Sequence, residues 1–240
     1  QFNFFETCIQ NVIQQKCNYV EHIIVDAVST DGTIEVIKQY AEKYSHIRWI
    51  SEPDKGQSDA MNKGIRMAQA DIISFLNVDD LYTHFVLNRV LHIFETHPAF
   101  EFIAGNCRLY DFDGNLLYYN RPKRIKAYHL FSYTEPFPIN PAAYFYKKQI
   151  HEKAGYYTVE NHFTMDYEFI LKASLHCNMV YCDEDWGIAI YHELSKTQND
   201  LQQNKMFERK KETFDSVYLI IPYRIKILTQ IYAIYKKIKK

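Results

Sequence analysis

A strand, loop and helix pattern that repeats along the first part of the chain is the strongest constraint on the fold. Apolar runs at 20–26, 47–50 and 72–76 predict strands, and helical patterns follow the first two at 34–40 and at about 58–70. Strands that alternate with helices of this length predict an α/β fold with right-handed crossovers and a mostly parallel sheet. The polar loops after these strands should therefore meet at one edge of the sheet.

The rest of the chain departs from this cycle. Residues 101–110 and 116–119 predict a hairpin with Gly114 in its turn, because a glycine between two apolar runs is typical of hairpin loops. A further strand is predicted at 142–146, and a helix opens at Met165 with acidic residues in its first turn. We expect mixed β and α structure in this half.

The chain opens on an amphipathic helical pattern at 4–15, with no strand before it. An α/β unit normally opens on a strand. We therefore expect an N-terminally truncated chain in which the first strand is missing.

Composition excludes several classes of protein. A chain of 240 residues with 47% hydrophobic content can bury a core, and a net charge of -1 gives no argument for binding nucleic acid. The five cysteines are odd in number and have no CxxC spacing, which favours a reducing, cytoplasmic compartment over a disulfide framework. The sequence shows neither an apolar run of membrane-spanning length nor a signal peptide.

Two adjacent carboxylates, Asp79 and Asp80, follow the third predicted strand. Such neighbours repel each other unless a cation or a donor-rich ligand is present, so a hard divalent ion with a phosphate-bearing substrate is the natural partner. This predicts that the chain handles a nucleotide. The alternative is structural: Asp80 caps a helix beginning near Thr83, and Asp79 lies in a solvated turn.

Three ordered sequence blocks, 23–33, 51–64 and 77–80, together resemble the family 2 glycosyltransferases of GT-A fold. The resemblance extends to about residue 199. It implies a three-layer, Rossmann-like α/β domain over 1–199, with a nucleotide-binding half at 1–100 and an acceptor and catalytic half at 101–199. It also implies transfer of a sugar from a nucleotide-sugar donor, UDP-linked in our expectation, with inversion at the anomeric carbon.

The resemblance implies that the donor nucleoside is bound by Asp26, at the end of a strand, and by Asp54, Lys55 and Gly56, in the loop after the next strand. The residue chemistry agrees, because a carboxylate accepts hydrogen bonds from a uracil N–H or from ribose hydroxyls and a glycine lets the backbone approach a ligand. The alternative for Asp26 is an ordinary turn at the end of a strand.

In the family's DxD motif, Asn77 takes the place of the first Asp, which meets the ribose, and Asp79 matches the metal ligand. The resemblance implies Mg²⁺ or Mn²⁺ as the cofactor, and the missing charge at Asn77 predicts weaker metal affinity. His192 resembles a late histidine that can approach the metal or the diphosphate. Its alternative role is structural.

Asp166 resembles the family's catalytic carboxylate, which takes the proton of the acceptor hydroxyl. The start of the predicted helix would hold this carboxylate ionised and aim it at the cleft. Glu168 is the second candidate base. The alternative for Asp166 is a first-turn acid that only stabilises its helix.

The C-terminal extension, 200–240, carries a basic amphipathic pattern from 216 to 240 that predicts one helix. Such a helix either lies on an anionic membrane, where polyprenyl-linked acceptors are found in the family, or docks on the core or on a second copy.

These observations predict a metal-assisted glycosyltransferase that builds a bacterial envelope polysaccharide or related glycan on a glycan or lipid-linked acceptor. Two rivals remain open. One is a non-catalytic nucleotide-sugar binding or scaffold subunit, favoured by Asn77 and by the missing strand. The other is a nucleotidyltransferase, disfavoured because no glycine-rich phosphate loop is visible.

Overall fold

The computed structural model of the protein describes residues 2–191 and 205–239. Its helices are α1 (Phe2–Gln14), α2 (Thr33–Lys43), α3 (Gln57–Met67), α4 (Val86–Thr96), α5 (Ala127–Leu130), α6 (Ile150–Ala154), α7 (Met165–Ser174), α8 (Met206–Leu219) and α9 (Tyr223–Ile238). Its strands are β1 (His22–Asp26), β2 (Ile47–Ser51), β3 (Ile72–Ile73), β4 (Asp80–Tyr82), β5 (Phe102–Tyr110), β6 (Leu116–Asn120), β7 (Tyr144–Lys147) and β8 (Met179–Ile190). A 3₁₀ turn at Pro141–Ala143 leads into β7.

The predicted cycle is confirmed for β1 with α2 and for β2 with α3, and the predicted hairpin is β5 with β6. The third strand is shorter than predicted, because the hydroxyl of Ser74 donates to the carbonyl oxygens of Pro141 (3.3 Å) and Tyr144 (3.0 Å) where a ladder would continue. The helix predicted near Thr83 begins at Val86 instead.

The expectation of a mostly parallel sheet needs correction. β1 pairs with β2 in parallel, and the second sheet has the order β3-β7-β5-β8-β4 with β6 on β5. In that sheet only β5 and β8 are parallel; the other described pairings are antiparallel. A short connection explains only the antiparallel pair of β5 and β6, because a hairpin turn cannot join parallel strands. The other antiparallel partners lie far apart in the chain, so the length of a connection does not set their direction.

An apolar cavity of about 230 Å³ lies between the two sheets, lined by Ile23 of β1 and Ile72 of β3 among other residues. Among the described strands, β1 pairs with β2 alone and β3 with β7 alone. Along the described residues, no strand precedes β1.

The second sheet separates two apolar clusters and so forms the middle of three layers. Successive side chains of β5 alternate between them, with Phe102 and Ala104 in one cluster and Ile103 in the other. Tyr144 and Phe145 of β7 divide in the same way, as the period-2 geometry of a strand requires. Helices α3 and α7 cover one face, and α1 and α4 cover the other.

The single C-terminal helix predicted over 216–240 is two helices, α8 and α9. Pro222 precedes α9 and has no N–H, so a continuous helix would lose a hydrogen bond there. Val217 and Ile221 join the larger apolar cluster and fix the bend between the two helices against the core. In the described ranges, no helix has the length and apolar content that crossing a bilayer requires.

Two glycines test how tightly the sheet is packed. A Cβ at Gly105 of β5 would overlap the ring of the buried Trp186, whereas a Cβ at Gly64 of α3 would lie 3.8 Å from Val25, an ordinary contact. We predict that Gly105→Ala lowers the free energy of unfolding by about 1–3 kcal/mol. The matched Gly64→Ala should raise it by about 0.5–1 kcal/mol, since alanine favours the helix. Urea unfolding measures the free energy of unfolding of both variants. Equal changes in the two variants would contradict the close contact between Gly105 and Trp186.

Candidate active site

A buried carboxylate organises the loop that follows β3. Asp80 is 4% exposed, and its Oδ2 accepts hydrogen bonds from the side-chain amides of Asn77 (2.7 Å) and Asn140 (3.0 Å). The amide of Gln57, at the start of α3, donates in turn to the side-chain oxygen of Asn77 (3.1 Å). Asp80 therefore does not cap a helix; it opens β4 and joins three separate segments of the chain.

The environment of Asp80 disfavours its charge. Burial raises its pKa to about 7, and the neighbouring charge of Asp79 adds to the effect. The hydrogen bonds from Asn140 and Asn77 act in the opposite direction, and the charge of Asp166 raises the pKa further. Asp79 and Asp166 thus both lie within electrostatic reach of one carboxylate, although they are far apart in the sequence.

Asp166 is in the first turn of α7, as predicted. Its Oδ1 accepts a hydrogen bond from the hydroxyl of the buried Tyr144 (3.0 Å), which fixes the direction of the carboxylate. Burial raises the pKa of Asp166 to about 6, and the bond from Tyr144 opposes that rise. Such a carboxylate is mostly ionised at neutral pH and is still basic enough to accept a proton.

Glu168, the second candidate base, has a different environment. Burial opposes its ionisation, but hydrogen bonds from three neighbours outweigh burial and lower its pKa. Those donors are Lys172 (2.5 Å), Asn161 (2.7 Å) and Thr158 (2.8 Å). These contacts give Glu168 the role of fixing the loop before α7.

Asp26 ends β1 with its carboxylate in a small polar pocket. Its Oδ2 accepts hydrogen bonds from the hydroxyl of Ser51 (2.6 Å) and from the backbone N–H of Ser29 (3.1 Å). Burial opposes ionisation, but these bonds outweigh it and lower the pKa of Asp26. The predicted turn is therefore present, and it holds a charged carboxylate at the carboxyl edge of the parallel strands.

The loop after β2 is built by two acidic side chains. Asp54 accepts from the backbone N–H of Gly56 (2.8 Å), and Asp59 accepts from the backbone N–H of Lys55 (3.1 Å). Gly56 has φ 108°, a conformation that favours glycine, and a Cβ there would lie 3.0 Å from the ring of His162. The backbone thus comes close to the segment before α7, and the Lys55 side chain is exposed.

Hydrogen bonds tie α3 to the segment that leads into α7. The side chain of the buried Asn62 donates to the carbonyl of Tyr157 (2.8 Å) and accepts from its N–H (3.0 Å). The hydroxyl of Ser58 donates to the carbonyl of Asn161 (3.0 Å). These bonds fix α3, and the loop of Asp54 to Gly56 that precedes it, against the segment that leads into Asp166.

The described residues offer a metal ion few protein ligands. Across 2–191 and 205–239 there is no group of three or more His, Cys, Asp or Glu side chains arranged to hold one. Asp80 accepts hydrogen bonds from two amides and Asp166 from Tyr144. Asp79 is the position that the sequence comparison with the DxD motif assigns to the metal. His192 lies outside the described residues. The residues fit a metal that takes most of its ligands from a bound diphosphate or from water.

Several residues that build the site were not identified from the sequence. Asn140, Tyr144 and Asn62 hold Asp80, Asp166 and the loop before α7, respectively. The available signal was weak: Asn140 is a polar residue enclosed in an otherwise apolar stretch, where a buried amide needs a partner.

Comparison with known proteins identifies the family. Residues 2–154 match the family model described as Glycosyl transferase family 2, so the chain belongs to this family. The chain is 28% identical over 194 residues to the glycosyltransferase Rv1514c of Mycobacterium tuberculosis H37Rv, covering 77% of this chain and 71% of the relative. It is 38% identical over 76 residues to the glycosyltransferase YibD of Escherichia coli K12, covering 32% of this chain. The chain spans only 22% of the length of YibD.

Solved structures share the fold. The mannosyltransferase PcManGT of Pyrobaculum calidifontis, in complex with GDP-Man and Mn²⁺, aligns with a TM-score of 0.69 at 15% identity, covering 97% of this chain and 66% of that one. Residues 1–349 of TarS from S. aureus, in complex with UDP, align with a TM-score of 0.65 at 15% identity, covering 94% and 73%. The GT-A fold predicted from the sequence is therefore confirmed.

The pH dependence of stability tests the environment of Asp80. Between its ordinary pKa of 3.8 and its folded pKa of about 7, the folded state keeps a proton that the unfolded state has released, so stability falls as pH rises. Asp80→Asn keeps an oxygen for the two amides and removes this titration. We predict that its stability relative to the parent increases from about pH 4 to 7, measured by urea unfolding without metal. A constant difference would show that Asp80 is ionised throughout.

Proposed function

We propose that this protein is a metal-assisted, inverting glycosyltransferase that uses a nucleotide-sugar donor. The observation that supports the proposal is the electrostatic proximity of carboxylates from separate sequence blocks. The charges of Asp79 and Asp166 both raise the pKa of Asp80. Hydrogen bonds from α3, which follows the loop of Asp54 to Gly56, reach the segment before α7. Asp26 stands ionised at the carboxyl edge of β1.

Asp26 would bind the donor nucleoside, since its lowered pKa keeps an acceptor ready for a base N–H or a ribose hydroxyl. Asn77 would contact the ribose. The backbone of Asp54, Lys55 and Gly56 would line the nucleotide, and the absence of a side chain at Gly56 permits close approach. We favour a UDP-linked sugar, which the UDP complex of the TarS neighbour supports.

A divalent ion, Mn²⁺ or Mg²⁺, would be held by Asp79 together with the donor diphosphate, with His192 as a further candidate ligand. When bound, such an ion neutralises charge on the leaving diphosphate. The neutral amide of Asn77 leaves Asp79 as the main local carboxylate for this purpose. The Mn²⁺ complex of the PcManGT neighbour supports this part of the proposal.

Asp166 would act as the base. Its carboxylate removes the proton of the acceptor hydroxyl as the oxygen attacks the anomeric carbon. The new carbon–oxygen bond forms on the face opposite the diphosphate, whose bond to the sugar breaks, and the configuration inverts. Tyr144 orients the carboxylate through its hydrogen bond of 3.0 Å.

The acceptor would be a glycan or a polyprenyl-linked sugar of a bacterial envelope polysaccharide. A lipid-linked acceptor resides in a membrane, so the proposal includes contact between residues 216–240 and the inner face of the cell membrane. The rest of the protein would be cytoplasmic, where nucleotide sugars are available.

Asp166→Asn tests the catalytic assignment. The amide keeps the shape and can still accept from Tyr144, but it cannot take a proton, so we predict a loss of about 10²–10⁴-fold in kcat with donor affinity unchanged. In the parent, kcat should rise as the pH increases through about 6, because Asp166 ionises there. In the variant, this rise of kcat with pH should be absent. Transfer from a UDP-sugar panel, measured by release of UDP, gives both results.

Glu168→Gln is the matched control. It should lower the melting temperature, because it weakens the contacts to Lys172 and Asn161, while kcat stays within a few-fold of the parent. A larger loss of kcat in Glu168→Gln than in Asp166→Asn would make Glu168 the catalytic base instead of Asp166. Donor binding in the parent without any hydrolysis or transfer would favour the non-catalytic binding subunit instead.

Asp26→Asn tests the nucleotide pocket. Removing the charge should weaken donor binding at least about tenfold, since hydrogen bonds to charged groups contribute about 1.5–3 kcal/mol. Asp31→Asn, in the following loop, is exposed and should leave binding unchanged. Calorimetric titration with the same nucleotide sugar compares them, and equal affinities would exclude Asp26 from the donor site.

A further inference from the structure

Helix α9 carries an exposed apolar stripe along its length. Tyr223, Ile231, Ile234 and Ile238 are between 59% and 79% exposed, and Ile227 on the same side is 39% exposed. Their spacing of three or four residues places them on one face of the helix. Ile220, 63% exposed in the turn before α9, extends the same apolar surface. We call these six residues the α9 stripe.

The opposite face of α9 binds the core through polar groups and a few apolar contacts, those of Ile225 and of the Tyr232 ring. The hydroxyl of the buried Tyr232 donates to Glu135 and accepts from Arg124. Lys236 forms an ion pair with Glu135 (2.8 Å), and Thr229 is also buried. An ordinary surface helix turns its apolar face inward and its polar face to water. On α9 the exposed face instead carries more large apolar side chains than the inner face, and the inner contacts fix this orientation.

The charge on α9 has one sign. The helix contains basic residues and no Asp or Glu over its whole length. Lys236 is paired on the inner side, and the other three basic residues are Arg224, Lys226 and Lys237. A second copy of the chain facing this stripe would bring like charges together, which disfavours self-association. An anionic surface would be attracted.

We infer that α9 lies flat in the headgroup layer of an anionic membrane, with the α9 stripe in contact with the acyl chains. An α-helix of 16 residues is about 24 Å long, so the stripe gives an extended line of contact parallel to the membrane plane. The inference rests on the proposed function and deepens it. It places α9, which packs on Arg124 and Glu135 of the acceptor half, at a lipid surface.

Vesicle flotation of the whole chain tests the inference. It measures lipid binding and does not depend on glycosyl transfer. The parent should float with phosphatidylcholine vesicles that contain phosphatidylglycerol and much less with phosphatidylcholine alone. Ile231→Ser with Ile234→Ser should weaken binding at least about tenfold, because two apolar side chains leave the acyl layer. Lys226→Glu with Lys237→Glu should weaken it at least about twentyfold, since each basic residue near the surface contributes about 1 kcal/mol.

Matched controls change the same chemistry elsewhere on the surface. Leu116→Ser with Leu117→Ser removes two half-exposed apolar side chains from β6, and Lys38→Glu with Lys153→Glu makes the same change of charge on α2 and α6. Both controls should bind vesicles as the parent does. Circular dichroism and nucleotide-sugar binding confirm that each variant is folded.

Three results would overturn the inference: no flotation of the parent, equal flotation with both kinds of vesicle, or equal losses in the stripe variants and the controls. A parent that does not float but forms a dimer, which Ile231→Ser with Ile234→Ser dissociates, would show that the α9 stripe binds a second copy. Failure of flotation with donor binding and transfer intact would remove the membrane contact from the proposal and leave the proposed glycosyl transfer standing.

Discussion

The buried carboxylate of Asp80 accepts hydrogen bonds from Asn77, in the loop after β3, and from Asn140, just before the turn that leads into β7. The cost of removing a carboxylate from water is offset only if its hydrogen bonds are satisfied, so this group needs both amides in place. Asp79 is its direct neighbour in the chain. The same contacts that satisfy Asp80 therefore also determine where the carboxylate of Asp79 lies.

Two further sets of contacts depend on that arrangement. Gln57 binds Asn77 at the start of α3, and Asn62 on the same helix binds both backbone groups of Tyr157. Asp166 is thus positioned by a continuous series of contacts that begins at the loop after β3. The buried, hydrogen-bonded carboxylate of Asp80 and the lowered pKa of Asp26 support the proposal of a site that binds an activated sugar.

The sequence predicted the elements of the first half well, because an apolar strand followed by an amphipathic helix is a local pattern. It also placed Asp26 and Asp166 at the strand and helix ends where the structure has them. It did not predict strand direction in the second sheet, which depends on contacts such as the antiparallel pairing of β4 with β8, between residues far apart in the chain. The burial of Asp80 escaped prediction for the same reason, since its partner Asn140 lies 60 residues away.

The central claim is that separate acidic side chains form one donor site that needs a divalent ion. Calorimetric titration of the parent chain with a UDP-sugar, with and without Mn²⁺, tests this most directly. We predict one site per chain, with binding that is much tighter when Mn²⁺ is present, and weak or absent binding of nucleotides that lack the diphosphate. Binding that is indifferent to the ion, or no binding of any UDP-linked or GDP-linked sugar, would contradict the account.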